Sequence, residues 1–161
     1  MAAKTIVLKG KGMRSEAIAN AAGILPGHLV QLMSTGKIRV HPTATGNAEK
    51  AFAVEDDLQG KIISDAYAIA SIAQYEVFPP GAEVNAIIAN GQIVVIGSML
   101  ESAGNGELQV HVPDTEALFA DSSGDVSPIY TAPIIGYAME AVDMSGSTGA
   151  DPTGRCRIRI A

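Results

Sequence analysis

The sequence predicts a mainly β protein, a small β-barrel or β-sandwich-like domain with at most one or two short helices. Short apolar runs alternate with turn residues along most of the chain, and 17 glycines and 8 prolines favour turns over long helices. Aromatic residues make up 4% and tryptophan is absent, so aliphatic side chains must build the core. A length of 161 residues fits one domain, and 47% hydrophobic residues argue against disorder throughout.

The first 24 residues are predicted to form an extended N-terminal arm, followed by a single β-rich domain over residues 25–161. Residues 5–8 predict a short strand. Ser15 is a candidate N-cap for a helix over residues 16–22 that ends at Gly23. Because so short a helix is marginal alone, the arm is expected to order only against another surface; its own domain is the alternative.

Two hairpins are predicted in the body. Residues 29–33 and 37–41 flank the loop Ser34-Thr35-Gly36, and residues 83–89 and 92–96 flank Asn90-Gly91, a step that suits a type I′ turn. Further strands are predicted over residues 51–55, 61–63, 67–72, 108–112, 134–142 and 155–160.

Two segments of the body resemble each other and predict a weak internal duplication, with units over about residues 25–75 and 79–161. Pro26-Gly27-x-x-Val30 and Gly36-x-Ile38-x-Val40 are matched by Pro80-Gly81-x-x-Val84 and Gly91-x-Ile93-x-Val95. Similar turn chemistry alone is the alternative explanation. The second unit carries an acidic insert over residues 113–133, and a loop of about twenty residues is usually functional or mobile.

The net charge of −6 is distributed unevenly along the chain. Residues 1–61 carry +3, residues 62–154 carry −12 with no lysine or arginine, and residues 155–161 carry +3. An acidic body repels nucleic acid, whereas basic ends can contact acidic surfaces of a partner or of another copy. The alternative is that the charge only keeps the protein soluble.

The C-terminal segment alternates arginines with apolar residues. Arg155, Arg157 and Arg159 are expected on one strand face, and Cys156 on the opposite, apolar face as a buried thiol. The arginine row predicts either an edge strand protected by charge or a basic stripe that docks on carboxylates of a neighbouring subunit.

The sequence contains no recognisable catalytic motif. It has no G-x-S-x-G or G-x-x-x-x-G-K-[ST] segment, no metal-spaced histidine pair and one cysteine, so we expect no enzyme activity, cofactor or metal. Glu55-Asp56-Asp57 is interpreted as a solvated turn rather than a cation site. No apolar run approaches the roughly 20 residues of a membrane-spanning helix, so no membrane association is expected.

Five segments, taken in order, resemble the small capsid cement, or head decoration, proteins of tailed bacteriophages. They are PGHLV at 26–30, AFAVED at 51–56, PPGAEV at 79–84, GSMLESAGNG at 97–106 and IGYAMEA at 135–141. The resemblance implies a β-rich structural protein of the virion, assembled in the host cytoplasm, that binds the outer surface of an expanded capsid. It implies that the major capsid protein is the partner and that the protein is often a trimer.

Because this resemblance supplies no contact motif, the candidate contact residues come from the arm and charge arguments. They are Lys4, Ile6, Leu8, Lys9, Lys11, Arg14, Ile18, Arg155, Arg157 and Arg159. Two other functions stay open. One is a small β-barrel hydrolase that acts on glycans through carboxylates of the insert. The other is a different virion part, such as a tail or receptor-binding module.

Overall fold

The computed structural model describes residues 4–113, 133–146 and 154–161. The described residues form short strands and one turn of 3-10 helix, Asp57–Gln59. The strands are β1 Val7–Lys9, β2 Met13–Ala19, β3 Val30–Leu32, β4 Lys37–Val40, β5 Ala51–Ala53, β6 Ile72–Val77, β7 Glu83–Ile87, β8 Ile93–Val94, β9 Met99–Gly104, β10 Glu107–Val110, β11 Gly136–Ala138, β12 Val142–Asp143 and β13 Arg155–Ile160.

These strands form two main sheets and a two-stranded ribbon. One sheet has the order β1-β7-β13-β11-β9-β10, the second has the order β3-β4-β2-β6-β5, and β8 pairs with β12 in the ribbon. In the part of the chain that is described, no sheet closes into a barrel, so the mainly β prediction is confirmed as a sandwich-like domain. The five-stranded sheet comes from residues before 78, and the six-stranded sheet comes from residues after 82 plus β1.

Two hydrophobic clusters stabilise these sheets. The larger one packs under the six-stranded sheet, where Leu100, Leu108 and Ile158 are fully buried, and it includes Phe52 from the five-stranded sheet. The smaller one packs on the other sheet around Ile38. Phe52 packs edge to face with Phe78, with ring centroids 6.1 Å apart. Because both rings belong to the same cluster as Leu100 and Ile158, the two halves share the larger core.

The helix predicted over residues 16–22 is wrong, because these residues fall mostly in β2. Strand β2 pairs antiparallel with β6 over six consecutive positions, from Met13 opposite Val77 to Ile18 opposite Ile72. The first four residues of β2 are exposed and only its last three alternate in burial, with Ala19 in the core. The ladder with β6 overrides the helix propensity of this segment. Strand β1 pairs with β7. The predicted arm therefore lies on its own body and is not extended from it.

The structure confirms the first predicted hairpin and contradicts the second. Strands β3 and β4 flank the loop Ser34-Thr35-Gly36, with Gly36 at a φ of 75°. Strand β7 instead lies between β1 and β13, so both of its edges are occupied and β8 pairs with β12. The two-residue turn with two positive φ values is Asn105-Gly106, at 53° and 77°, between β9 and β10.

The other strand predictions have mixed outcomes. Four predicted segments contain strands. Residues 51–55 contain β5, and residues 108–112 contain most of β10. Residues 134–142 contain β11 and the first residue of β12, and residues 155–160 coincide with β13. Residues 61–63 form no strand, the strand predicted at 67–72 begins at Ile72 and continues to Val77, and β9 was not predicted. Most of the acidic insert, residues 114–132, lies outside the described residues. The internal duplication stays a prediction.

Strand β13 is interior to its sheet, so its interpretation as a charge-protected edge strand is wrong. The predicted alternation is confirmed. Cys156, Ile158 and Ile160 are buried, and Arg157 and Arg159 are exposed. Burial raises the pKa of the Cys156 thiol to about 11.

We predict that Cys156 does not react with aromatic disulfide reagents at pH 8 in the folded protein, because its thiol is buried and protonated. Absorbance at the wavelength of the released thiolate measures the reaction. One thiol per chain should appear after addition of guanidinium chloride. Rapid labelling without denaturant would contradict this placement of β13.

Candidate subunit-contact surface

A row of side chains crosses the solvent-facing side of the six-stranded sheet. Met99 of β9 lies opposite Tyr137 of β11, which lies opposite Arg159 of β13. Arg159 lies opposite Glu83 of β7, and Glu83 lies opposite Lys9 of β1. Since directly opposed residues of antiparallel strands share a face, five neighbouring strands place these side chains next to one another.

Two cations hold the carboxylate in this row. The Oε1 atom of Glu83 lies 4.0 Å from Nζ of Lys9 and 3.7 Å from Nη2 of Arg159. The Glu83 side chain is 11% exposed, whereas those of Lys9 and Arg159 are 74% and 50% exposed. Lys9 and Arg159 are exposed, so each pair contributes only about 0–1 kcal/mol, but together they supply the counter-charge that the nearly buried Glu83 carboxylate requires. They leave a net positive charge on the surface.

Apolar side chains lie at the β9 end of the row. Met99 and Tyr137 are partly exposed, at 42% and 39%. The chain reaches β9 through a turn at Val95–Ser98, in which Gly97 has a φ of 87° and exposed Val95 and Ile96 precede it. This turn is tied to β11 because the Gly97 N–H donates to the Ala138 carbonyl at 2.8 Å. The turn therefore lies next to Met99 and Tyr137, at the apolar end of the row.

We call this surface the basic-apolar face. It consists of Lys9, Val95, Ile96, Met99, Tyr137, Arg157 and Arg159. Its cations come from both ends of the sequence, because β1 and β13 both pair with β7 and so lie on either side of it. An exposed apolar surface rimmed by charge is typical of a protein–protein contact.

The N-terminal segment is held to the body by a buried carboxylate. Glu55 is 7% exposed and its Oε atoms accept the Ile6 N–H at 3.2 and 3.3 Å, and also the Thr5 hydroxyl. The Arg14 guanidinium donates to the Glu55 carbonyl at 2.6 Å. The interpretation of Glu55 and Asp56 as a solvated turn is therefore wrong, since both are buried, and only Asp57 of that run is exposed.

Arg155 lies at the same junction between the two sheets. Its Nη2 donates to the Ile63 carbonyl at 2.8 Å, and its Nη1 lies 2.1 Å from where a Cβ on Gly27 would stand. Only glycine fits there, and Gly27 also has a φ of 93°. Burial and the nearby Arg155 charge lower the pKa of His28 to about 4, and His28 Nδ1 accepts the Leu25 N–H at 3.1 Å.

The structure separates the candidate contact residues into four groups. Lys9, Arg157 and Arg159 meet on the basic-apolar face, with Lys4 and Lys11 exposed elsewhere in the N-terminal segment. Arg14 and Arg155 lie at the junction between the sheets. Ile6 lies in the core, and Leu8 is half-buried at its margin. Ile18 is exposed on the other sheet, opposite Ile72. Ile6 is fully buried in its own chain and presents no surface to a neighbour.

Sequence reasoning missed Met99, Tyr137 and the Val95–Ser98 turn as parts of the surface. Strand β9 alternates buried Leu100 with exposed Met99, which is a period-2 signal. In the sequence that signal is masked because Met99 is apolar although it faces solvent, and Ser102 is polar although it is fully buried. The apolar–polar alternation is therefore difficult to recognise from the sequence.

The buried polar pairs do not form an accessible reactive centre. His41 Nδ1 lies 2.8 Å from the Ser102 hydroxyl, but Ser102 is fully buried and His41 Nε2 donates to the Asn47 carbonyl at 3.0 Å. This pair fixes a loop and leaves the hydroxyl out of reach of a substrate. Within the described ranges, no group of three or more histidine, cysteine, aspartate or glutamate side chains could hold a metal ion.

Comparison with known proteins shows a likeness of fold. The chain is similar to the solved structure described as the head fiber gp8.5 N base of bacteriophage phi29, with a TM-score of 0.53 and 10% sequence identity. The likeness covers 92% of this chain and 93% of that one. No protein-family model and no curated protein matches the sequence. Among the described residues, no helix is long and apolar enough to cross a membrane.

We predict that the stability of the fold decreases as the pH falls from about 6.5 towards 4, partly through His28. The unfolded chain binds a proton on this histidine near pH 6.5, whereas the folded chain binds it only near pH 4. The free energy of unfolding therefore declines across this window, by up to about 3 kcal/mol from this group. His28→Asn keeps a side-chain acceptor for Leu25 and does not titrate.

Urea unfolding of both proteins at pH 7 and pH 4.5 measures the effect. The loss of stability on acidification should be smaller for His28→Asn than for the wild type. Equal losses in the two proteins would contradict the burial of neutral His28 beside Arg155.

We also predict that Glu55→Ala destabilises the protein by about 2–3 kcal/mol, because the buried Ile6 N–H then loses its acceptor. Denaturant unfolding gives the free energy, and hydrogen exchange gives the protection of the β1 amides, which should decrease most. Glu49→Ala, at an exposed carboxylate, is the matched control and should change stability by less than about 0.5 kcal/mol. Unchanged β1 protection in Glu55→Ala would show that Glu55 does not hold this segment.

Proposed function

We propose that the protein is a non-enzymatic structural component of a tailed-phage head, a cement protein that binds the outer surface of an expanded capsid. The observation that carries the proposal is the likeness of fold, over 92% of this chain, to a protein described as a phage head fiber base. The five sequence segments that resemble head decoration proteins support it independently. At 10% identity the likeness transfers no individual residue.

The surface chemistry supports a contact role. The basic-apolar face is exposed and open, whereas the buried polar pairs, such as His41 with Ser102, lie inside the fold. A cement protein needs surfaces of this kind because it binds many equivalent sites on a lattice. Weak contacts repeated around a shell add up to strong retention.

The ordered N-terminal segment changes the mechanism by which such a protein stabilises a shell. An arm that folds on docking loses conformational entropy as it binds. Here β1 is already paired with β7 and Ile6 is already buried. We therefore propose that the protein docks as a preformed body whose rigid surfaces bridge major capsid subunits.

A second candidate is the base of an appendage on the head. The head fiber base in the description of the similar structure favours it. The two candidates differ in number and position on the particle. A cement protein covers equivalent sites over the whole shell, whereas an appendage base marks the points from which fibres project.

We predict that the purified protein co-sediments with undecorated expanded capsids and raises the temperature at which they disrupt. The physical reason is that a protein that binds only the assembled state stabilises it, by an amount that increases with the free protein concentration relative to Kd. Unexpanded shells are the control and should bind less. The proposal is wrong if expanded capsids neither retain the protein nor gain thermal stability. Electron microscopy of the bound particles then separates even coverage from isolated projections.

A further inference from the structure

A second exposed apolar surface lies in the connection between β5 and β6, and its charge is opposite to that of the basic-apolar face. We call residues 57–65 the acidic loop. Leu58 is 98% exposed and Ile62 is 58% exposed. Asp57 is exposed beside Leu58, and Asp65 Oδ2 accepts the Ile62 N–H at 2.9 Å. Lys61 is the single cation between these two carboxylates.

The acidic loop is a defined structure with a fixed position. Asp57–Gln59 forms a 3-10 turn that ends at Gly60, whose φ is 69°. The Lys61 N–H donates to the Asp56 carbonyl at 3.0 Å. The bond from Arg155 Nη2 to the Ile63 carbonyl ties the loop to the first residue of β13. The loop therefore presents Leu58 to solvent on a held backbone.

The two surfaces lie apart in one molecule. The acidic loop is anchored at Arg155, whereas the row of the basic-apolar face crosses β13 at Arg159. Arg159 is four residues, or about 13 Å, along β13 from Arg155, and Arg157 of the face is about 7 Å away. The apolar part of the face is further across the sheet, because Tyr137 lies on β11 and Met99 on β9 beyond it. A contact between loop and face is therefore made more readily between two copies than within one.

We propose that the occupant of the basic-apolar face is the acidic loop of a second copy of this chain. The carboxylates of Asp57 and Asp65 complement Arg157 and Arg159, and Leu58 supplies an apolar side chain for the surface at Met99, Tyr137 and Ile96. This inference rests on the proposed structural function. It adds that the basic-apolar face is used for a contact between two copies of the chain.

We propose the head-to-tail arrangement, in which each copy gives its loop to one neighbour and its face to another. Such heterologous contacts produce a ring when the rotation closes and a filament when it does not. A ring would display the remaining surface of each copy several times towards a capsid. That display is the multivalent arrangement that the proposed function requires.

Two variants at exposed side chains test the contact without disturbing the core. Leu58→Ser impairs the loop, and Ile96→Ser impairs the face. Leu32→Ser, at a half-exposed leucine of β3 outside both surfaces, is the matched control. Sedimentation velocity should show association of the wild type at concentrations up to about 100 μM, weakened by at least about tenfold in each of the two variants and unchanged in Leu32→Ser.

A mixture of the two variants gives the sharpest result. Leu58→Ser keeps an intact face and Ile96→Ser keeps an intact loop, so the mixture should form a 1:1 dimer that does not grow further. A symmetric contact that uses the same surface twice would give no such rescue. Failure of the mixture to dimerise, with both variants folded by circular dichroism, overturns the proposal, as does a monomeric wild type at this concentration. Capsid binding by a monomeric wild type would leave the proposed function intact while this inference fails.

Discussion

The alternation of side chains along β13 is the constraint on which the rest of the structure depends. This strand lies between β7 and β11, so its backbone is paired on both edges. Cys156, Ile158 and Ile160 enter the core beneath the sheet, and the intervening arginines must leave on the other side. One strand thus stabilises the larger core and also supplies cations to the surface.

This pairing brings the basic N-terminal and C-terminal segments of the sequence together on one surface. The basic N-terminal and C-terminal segments are far apart in sequence, yet Lys9 and Arg159 bind the same oxygen of Glu83. The acidic part of the chain contributes Glu83 between them. Local excess of one charge on a chain of net −6 favours oriented contacts over random association.

Much of the fold could be predicted from local sequence patterns, and the failures have physical reasons. The alternation at residues 155–160 and the turn at Gly36 are local signals, and both were confirmed. The strand β2 was mistaken for a helix because its partner β6 is more than fifty residues distant, and only that ladder decides its conformation. Likewise, Asn90-Gly91 resembles a hairpin turn, but the edges of β7 are already occupied.

The candidate surface was less predictable than the fold. Lys9, Arg157 and Arg159 followed from charge, whereas Met99 and Tyr137 join them only through sheet order, which no local pattern contains. Conversely, Ile6 was selected as an anchor for a partner, and its own Glu55 and core hold it instead. Long-range pairing decides which exposed side chains are neighbours.

Hydroxyl-radical footprinting of the protein bound to capsids tests most directly whether the basic-apolar face is a contact surface. Mass spectrometry reports the oxidation of Met99 and Tyr137, with Met13, which is 74% exposed and lies on the other sheet, as an internal reference. The account predicts strong protection of Met99 and Tyr137 relative to the dilute free protein. Equal oxidation of both residues in the bound and free states would contradict it.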